Sequence, residues 1–344
     1  MNRLGTGRCL AAAVLFGASA PAASKLAGEM PALVLAGLLY LGAGVAVTPS
    51  VLRSPPTMLA VQRDWRPATV AVLVGGALGP ALLVAGLART SAASASILLN
   101  LELAATVLLA ATVFREHLGT KLVAGAAIVT AAGVILVWEP GAEVNVGALF
   151  IAGACVAWGV DNGVTAKIDQ LAPEHIVFLK GLVAGGANLA LGVSFADRAT
   201  SPSLEQVVIA LVVGALGYGA SIVLWVKGAR DLGAARGQVI FATAPFLGAL
   251  IAWMILGESV SLVQLVAIAL AATGVAISME SGHEHEHDHH MIEHEHEHSH
   301  DDGHHEHTHD GLFDARHTHL HRHERTRHAH PHVPDLHHRH THHG

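Results

Sequence analysis

Ten apolar segments of bilayer length follow one another along the first 279 residues, and they constrain the fold more than any other feature. Each is near the twenty residues that an α-helix needs to cross about 30 Å of hydrocarbon. Backbone groups in lipid must be satisfied within the protein, so these segments are predicted to be helices rather than strands. The segments are 8–28, 31–52, 67–87, 92–114, 119–138, 147–166, 174–195, 205–227, 234–256 and 260–279. We therefore predict an all-α integral membrane protein with ten transmembrane helices.

The composition agrees with this class and separates a tail from the body of the chain. Hydrophobic residues make up 52% of the sequence and charged residues 14%, with a mean hydropathy of +0.47, as in helical membrane proteins. Residues 280–344 hold 25 of the 27 histidines and 14 of the 27 acidic residues. Because this tail has no apolar face, we predict that it is disordered. The two cysteines, Cys9 and Cys155, lie in apolar segments and provide no disulfide framework.

The distribution of basic residues predicts the orientation in the membrane. If the amino terminus is cytoplasmic, eleven Lys and Arg residues fall in or beside the inside loops and three beside the outside loops. An even number of helices returns the carboxyl terminus to the same side, so we predict a multi-pass protein of the cytoplasmic membrane with both termini and the tail cytoplasmic. An alternative for the first segment is a cleaved signal peptide ending at Ala18-Ser19-Ala20, but Pro21 would follow the cut.

The body contains an internal repeat with an offset near 142 residues. The run Gly76-Ala77-Leu78-Gly79 recurs as Gly214-Ala215-Leu216-Gly217. Further pairs at this spacing are Gly17 and Gly159, Lys25 and Lys167, Pro31 and Pro173, and Glu116 and Glu258. We predict two five-helix units, 1–140 and 141–279. Because five is odd, the second unit enters the membrane from the opposite side, which gives the inverted halves found in alternating-access transporters.

Three motifs then suggest a family. They are Phe16-Gly17-Ala18-Ser19 in the first helix, Trp158-Gly159 in the sixth, and Phe114-Arg115-Glu116-His117-Leu118 with its counterpart Leu256-Gly257-Glu258. With these motifs the chain resembles the drug/metabolite transporter superfamily, EamA type, over residues 8–279. The resemblance implies a transporter rather than an enzyme, with substrates such as amino acids, amines and other metabolites. One departure is Leu38, which is apolar where its repeat partner Lys180 is basic, so any site is asymmetric.

Three ionisable side chains stand well inside the predicted helices, namely Glu102, Asp161 and Lys180. Such a side chain costs about 2.5–3.5 kcal/mol on insertion scales, so it faces the interior of the bundle with a partner or a function. The repeat partners of the three are all uncharged: Pro245, Ser19 and Leu38. We therefore place Glu102, Asp161 and Lys180 on the path of a substrate or coupling ion. The structural alternative is an ion pair between Asp161 and Lys180.

Uncharged residues extend this predicted path. Asn162 follows Asp161, but adjacent residues on a helix diverge by about 100°, which predicts that only one of the two faces the path. Gly79, Pro80 and Gly217 interrupt corresponding helices of the two halves, a pattern that points to a binding site at the midplane. Close helix packing explains the same glycines. Asn188 either lines a cavity or joins two helices, and Glu116 and Glu258 are expected to cap helix ends.

The tail repeats the pattern His-x-His with interleaved acidic residues, which suits zinc, nickel and cobalt. An alternative is a pH-sensitive polyelectrolyte, since an unperturbed imidazole titrates near neutrality. His117 and His175, the two histidines of the body, are candidates to relay metal from the tail. The predicted tail ligands are His283, His285, His287, His289, His294, His296, His298, His300, His317, His319, His321 and His323.

These observations favour a secondary transporter that exports a small metabolite and carries a metal-binding regulatory or buffering tail. No phosphate-binding loop of the Gly-x-x-x-x-Gly-Lys type occurs in the sequence. Two alternatives stay open: a transporter of divalent nickel, cobalt or zinc, and a membrane-anchored metal store or sensor. No cofactor is expected to be required. The expected partners are the lipid bilayer and a small-molecule or metal-ion substrate, without nucleic acid, and the sequence is compatible with a homodimer.

Overall fold

The computed structural model describes residues 3–113, 120–137, 145–165, 168, 170–195, 202–232, 240–279, 283–289, 292–298, 317–323 and 326–332. Seven of the described helices are long and apolar enough to span a membrane, and three shorter apolar helices accompany them. This confirms the prediction of an all-helical membrane body. The helices are α1 (Arg3–Ala27), α2 (Ala32–Arg53), α3 (Met58–Leu87), α4 (Ala92–Thr112), α5 (Thr120–Val137), α6 (Val146–Thr165), α7 (Pro173–Phe195), α8 (204–232), α9 (Ala244–Met254) and α10 (Leu262–Met279).

Three of these helices widen locally into π-helix. The π-helical stretches are Ala71–Leu78 in α3, Lys180–Ala184 in α7 and Ala215–Ala220 in α8. A π-helix bonds each carbonyl to the amide five residues ahead. The α3 and α7 stretches lie against each other. In the α3 stretch, the carbonyls of Gly75 and Ala77 also accept hydrogen bonds from side chains of other helices.

A turn interrupts α4, and a turn at the equivalent place of the second repeat precedes α9. Helix α4 is broken at Leu99 and Asn100, and a turn at Ala242 and Thr243 precedes α9. The same side-chain bond closes both breaks, from Asn100 to the Ile97 carbonyl at 2.9 Å and from Thr243 to the Ile240 carbonyl at 2.7 Å. The ninth helix was predicted to begin at 234. Residues 234–239 lie outside the described residues, Ile240 and Phe241 are helical, and α9 begins after the turn, at Ala244. Pro245 suits that start, because proline is favoured in the first turn of a helix.

The two repeats interlock instead of packing as separate bodies. Helix α1 of the first repeat packs against α8 and α9 of the second, and α6 of the second packs against α3 and α4 of the first. Equivalent helices also meet across the repeats, in the pairs α2 with α7, α4 with α9, and α5 with α10. This exchange of contacts is the symmetry expected of two inverted units. The body thus forms one compact unit with a shared core.

Small residues allow the helices to approach closely. A Cβ atom added at Gly42 would overlap the backbone of Leu211, and one added at Gly214 would overlap the backbone of Leu39, so α2 and α8 touch backbone to backbone. Such contacts replace the hydrophobic drive that is absent between helices in lipid. Large apolar side chains such as Leu52 and Val193 are exposed on the outside of the bundle, as expected of a surface that faces acyl chains. Cys9 and Cys155 are both buried.

The tail contains four described strands, β1 (His283–His289), β2 (Ile292–His298), β3 (His317–His323) and β4 (Thr326–His332). Strand β1 pairs with β4 and β2 with β3, both antiparallel. Their alternation of histidine with another residue has the period of two that a strand requires. Disorder of the tail as a whole stays a prediction. His300 lies outside the described residues.

Candidate functional site

A cavity of about 840 Å³ lies inside the body and is bordered by α1, α2, α4, α6, α7, α8 and the residues just before α9. Its size is in the range of small-molecule sites. At one end it extends to the connection between α6 and α7, where Gln170, Leu171 and Ala172 form its rim. Its lining side chains fall into two chemical sets. The first, named the polar wall, is Glu102, Asp161, Asn162, Thr165 and Lys180; the second, named the aromatic wall, is Phe16, Tyr40, Trp158, Tyr218, Trp225 and Phe241. The names refer to chemistry, since Trp158 lies one helical turn from Asp161 on α6.

Asp161 and Lys180 form an ion pair on the polar wall. The Lys180 ammonium lies 2.7 Å from Oδ1 and 2.5 Å from Oδ2 of Asp161, and the Thr165 hydroxyl donates to Oδ1 at 3.1 Å. The two charged side chains are 13% and 10% exposed. The structure therefore combines the two interpretations of the sequence, because the residues are paired with each other and also line the cavity.

Two glycines of the π-helical stretch of α3 make room for this ion pair. A Cβ atom added at Gly75 would overlap the carboxylate of Asp161. One added at Gly76 would lie within 3.2 Å of the Lys180 side chain. The Gly-Gly pair thus lets α3 pack directly against the charged side chains of α6 and α7.

Glu102 and Asn162 form a second polar contact on the same wall. The Asn162 amide nitrogen donates to Oε1 of Glu102 at 2.8 Å, with the Thr106 hydroxyl also near at 3.3 Å. The prediction that only one of Asp161 and Asn162 would face the path is not met, since both line the cavity. Because the two side chains leave α6 about 100° apart, they contact different helices: Asp161 reaches α7, whereas Asn162 reaches α4.

The Gly75 carbonyl is an acceptor shared by two aromatic side chains. The Tyr40 hydroxyl and the Trp158 indole nitrogen each donate to it at 3.1 Å. In the i→i+5 pattern of this stretch the Gly75 carbonyl would accept from residue 80, which is proline and has no N–H, so the carbonyl is available to both side chains. A second carbonyl of this stretch, that of Ala77, accepts from the Asn188 amide at 3.0 Å. Asn188 thus joins α7 to α3 and is not one of the side chains that border the cavity.

The aromatic wall was not predicted from the sequence. Its ring centroids lie 6.0 Å apart for Phe16 and Tyr218, 5.7 Å for Tyr40 and Tyr218, 5.3 Å for Phe16 and Phe241, and 6.0 Å for Trp225 and Phe241. One signal was present: the chain has two tyrosines, and both lie in the middle of apolar segments. Among the described residues, the Trp225 indole nitrogen is buried with no hydrogen-bond partner.

Three residues predicted on the path lie behind the wall instead. A Cβ atom added at Gly79 would lie 2.7 Å from the Trp158 indole nitrogen, and one added at Gly217 would lie 2.5 Å from Cβ of Ser19. Pro80 is buried in α3 beside Gly79. None of the three is among the side chains that border the cavity in the described part of the chain. The glycines serve close packing. Gly217 also lies within the π-helical stretch of α8, and Gly79 directly follows that of α3.

At the end of the bundle away from Gln170, polar bonds join the two repeats. Glu258 accepts from the backbone nitrogens of Ala92 at 2.8 Å and Ala93 at 2.9 Å, so it caps α4 from the connection between α9 and α10. Gln264 donates to the hydroxyls of Ser91 at 3.3 Å and Ser94 at 3.0 Å. The helix-end role expected of Glu258 is therefore present. Glu116 lies outside the described residues.

The rim of the cavity is held by a buried carboxylate and a histidine. Asp64 of α3 accepts from the backbone nitrogens of Gln170 at 2.8 Å and Leu171 at 3.0 Å. The His175 ring accepts at Nδ1 from Ala172, and its Nε2 lies 2.7 Å from the Ser54 carbonyl. Both ring nitrogens of His175 are therefore engaged by the backbone, while His117 lies outside the described residues. Within the part of the chain that the structure describes, no group of three or more His, Cys, Asp or Glu side chains is placed to hold a metal ion.

The ten apolar helices of the described residues, with their interlocked halves, define the class of multi-pass helical membrane proteins. The chain belongs to the EamA-like transporter family, whose model matches it twice, over residues 4–138 and 145–279. This shows the family suggested by the sequence, and it shows a transporter of a membrane-crossing solute rather than an enzyme.

Two individual proteins are also similar to the chain. An uncharacterized transporter from Methanothermobacter thermautotrophicus is 25% identical over 276 residues, which cover 74% of this chain and 80% of that protein. A protein of known crystal structure is 21% identical and matches 80% of this chain and 96% of its own, with a TM-score of 0.57. The second match supports the fold alone.

Proposed function

We propose that this protein is a secondary transporter that exports a small metabolite from the cytoplasm. The observation that carries the proposal is the cavity, in which Glu102 and the Asp161–Lys180 pair share one wall. Intramembrane ionisable groups of this kind mark substrate pathways and proton relays. In the proposed cycle, Glu102 exchanges a proton for the substrate as the two halves rock against each other.

The proposed direction of transport, out of the cytoplasm, follows from which end of the bundle is closed. The cavity extends to the connection between α6 and α7, whereas Glu258 and Gln264 join the repeats at the opposite end. With the orientation predicted from the basic residues, the extended end is cytoplasmic. The described conformation would then load a solute from the cytoplasm, as an exporter must. For the solute to leave on the other side, the bonds from Glu258 to Ala92 and Ala93 would have to open.

Transport by purified protein in proteoliposomes tests this function. Vesicles are loaded with a pool of amino acids, amines and small organic acids, a pH gradient is imposed, and the solutes that move are identified by mass spectrometry. We expect gradient-driven movement of a limited set of solutes, with movement and its pH dependence lost in Glu102→Gln. Glu205→Gln, which changes an exposed carboxylate at the start of α8, is the matched control. Wild-type movement by Glu102→Gln, with an unchanged pH dependence, removes Glu102 from the mechanism, and no movement of any solute removes the proposed function.

We further propose that the tail binds zinc, nickel or cobalt and has a regulatory or buffering role. Imidazole suits these metals, and the register of the strands supports the proposal. Within each pair of strands, three histidines lie opposite histidines: His283, His285 and His287 face His332, His330 and His328, and His294, His296 and His298 face His321, His319 and His317. Residues directly opposite on antiparallel strands are the closest cross-strand neighbours.

Calorimetric titration with nickel, cobalt and zinc tests the tail. The full-length protein is compared with the protein truncated after Glu280. We expect metal binding to disappear with the tail, which makes the metal regulatory or stored. Tight binding of one metal by the truncated body, lost in Glu102→Gln or Asp161→Asn, would instead make the metal ion the substrate. A homodimer and the cytoplasmic membrane stay predictions.

A further inference from the structure

We propose that the cavity selects organic monocations with an aromatic body, held between the Glu102 carboxylate and the aromatic wall. This inference rests on the proposed function, because it names the chemical class of the solute that the cavity would carry. It depends on three features of the cavity: its balance of charge, the arrangement of its aromatic rings, and the Trp225 indole nitrogen, a buried donor with no acceptor among the described residues. Each feature favours a different part of the ligand.

The balance of charge favours a cation. Lys180 and Asp161 neutralise each other through two short contacts to the ammonium group. Glu102, in contrast, accepts one hydrogen bond from the neutral Asn162 amide and forms no ion pair among the described residues. The cavity therefore holds one carboxylate without a cation. A proton or a ligand ammonium group can supply that charge, and the two would compete for the same oxygen atoms. A carboxylate on the ligand would meet Glu102 as a like charge unless it displaced Asp161 from Lys180.

The arrangement of the rings favours an apolar, aromatic body on that cation. Phe16, Tyr40, Tyr218 and Phe241 form a continuous series with centroid distances of 5.3–6.0 Å. The face of an aromatic ring attracts cations within about 6 Å, and ring edges pack on other rings. All four residues border the cavity together with Glu102. An ammonium group near the carboxylate and an aryl group on these rings would satisfy both walls.

The Trp225 indole donor and the volume of the cavity also favour an organic solute. The Trp225 indole nitrogen is buried without a partner among the described residues, and Trp225 borders the cavity. A buried donor without an acceptor is costly, so an acceptor on the bound solute, or water, is expected to complete it. The cavity of about 840 Å³ is far larger than an inorganic ion requires. These features make an organic ligand a better fit than a bare metal ion.

Binding of four matched probes by the detergent-solubilised full-length protein tests the inference. Phenethylamine is the aryl cation, phenylalanine the zwitterion, 3-phenylpropionate the anion and hexylamine the cation without a ring. Isothermal titration calorimetry measures the affinity for each probe. We expect phenethylamine to bind most tightly, its affinity to fall about tenfold to a hundredfold in Glu102→Gln, and to fall about two- to fivefold in Phe241→Leu. The controls are Glu205→Gln and Phe195→Leu, which change an exposed carboxylate and an 82% exposed ring. Both should bind as the wild type does.

Each part of the inference can be overturned separately from the proposed function. Equal or tighter binding of phenylalanine or 3-phenylpropionate overturns the preference for a cation, and so does an unchanged affinity for phenethylamine in Glu102→Gln. Binding of hexylamine as tightly as phenethylamine, with no effect of Phe241→Leu, overturns the role of the rings. Binding of none of the probes overturns the substrate class as a whole. In each of these outcomes, gradient-driven movement of another solute in proteoliposomes would leave the transport function intact.

Discussion

The two repeats have equivalent helices but carry different side chains at equivalent positions near the cavity. The second repeat has Asp161 in α6 and Lys180 in α7, and these form the ion pair of the polar wall. The first repeat has Ser19 in α1 and Leu38 in α2. The Ser19 hydroxyl donates to the Phe16 carbonyl of its own helix at 2.6 Å, and Leu38 is buried. The scaffold thus folds with or without charge at these positions, so the charged pair gives the cavity its polarity and is not needed to close the bundle.

The comparison also shows what is kept in both repeats. Glycine faces the side chain in each case, with Gly75 against Asp161 and Gly217 against Ser19. Close approach of the helices is therefore the shared requirement, and the nature of the side chain is the variable one. The ring is also kept: Phe16 of α1 and Trp158 of α6 stand at equivalent positions of the two repeats, and both border the cavity. The charges of Asp161 and Lys180, in contrast, come from the second repeat alone among these equivalent positions, so a symmetric fold carries an asymmetric set of cavity side chains.

Replacing the charged pair by the residues of the first repeat gives the largest expected effect. Lys180→Leu alone leaves Asp161 without its cation in the interior of the bundle. Asp161→Ser alone leaves the Lys180 ammonium unpaired. We expect each single change to destabilise the protein by about 2–4 kcal/mol, somewhat less than a fully buried pair because the cavity gives partial access to water. The double change should recover most of this loss, since both charges are then absent. Thermal unfolding in detergent, followed by intrinsic tryptophan fluorescence, measures all three variants.

The double variant also separates stability from transport. We expect it to fold near the wild-type midpoint and yet to lose solute movement in proteoliposomes, because the polar wall is gone. If the two single changes add up without any recovery in the double variant, Asp161 and Lys180 do not act as a pair. If the double variant transports as the wild type does, the asymmetry between the repeats has no part in transport.

Adding one methyl group between α3 and the ion pair gives a smaller effect. Gly75→Ala places a Cβ atom against the Asp161 carboxylate, so the helix or the carboxylate must move. Overpacking of this kind costs about 1–3 kcal/mol. The matched control is Gly186→Ala in α7, where an added Cβ meets nothing within 4 Å. In a helix interior that control should be neutral or should stabilise the protein by a few tenths to ~1 kcal/mol. Equal unfolding midpoints for the two variants would contradict the contact at Gly75.

The helical body could be predicted from the sequence because its causes are local. The length and apolarity of each segment are set by the bilayer, and the offset of about 142 residues between repeats can be read by comparing the chain with itself. The charged members of the site, Glu102, Asp161 and Lys180, could be predicted for a related reason. An ionisable residue inside a membrane helix is rare enough to stand out without any knowledge of its neighbours.

The parts that were missed depend on contacts between distant segments. The aromatic wall combines Phe16 of α1 with Tyr218 of α8 and Phe241 before α9, and no spacing along the chain marks them as neighbours. The predicted path included Gly79 and Gly217 because glycine is compatible with both unwinding and packing. Their packing partners, Trp158 and Ser19, lie on other helices, and both glycines also lie in or next to a π-helical stretch. Glycine has no side chain whose chemistry could have indicated these partners.

The smallest expected effect on stability concerns the Gly75 carbonyl, which accepts from Tyr40 of the first repeat and from Trp158 of the second. Tyr40→Phe removes one donor and leaves the Trp158 indole bonded, so we expect a loss of about 0.5–1.5 kcal/mol. Trp158→Phe removes the other donor together with part of its ring contacts. When both changes are made, the Gly75 carbonyl, which has proline five residues ahead of it, has no donor left, and an unsatisfied buried acceptor costs about 1–3 kcal/mol. The loss of stability in the double variant should therefore exceed the sum of the two single losses. A strictly additive cycle, measured by thermal unfolding, would mean that the carbonyl finds another donor and that the π-helical stretch of α3 does not depend on this pair of aromatic residues.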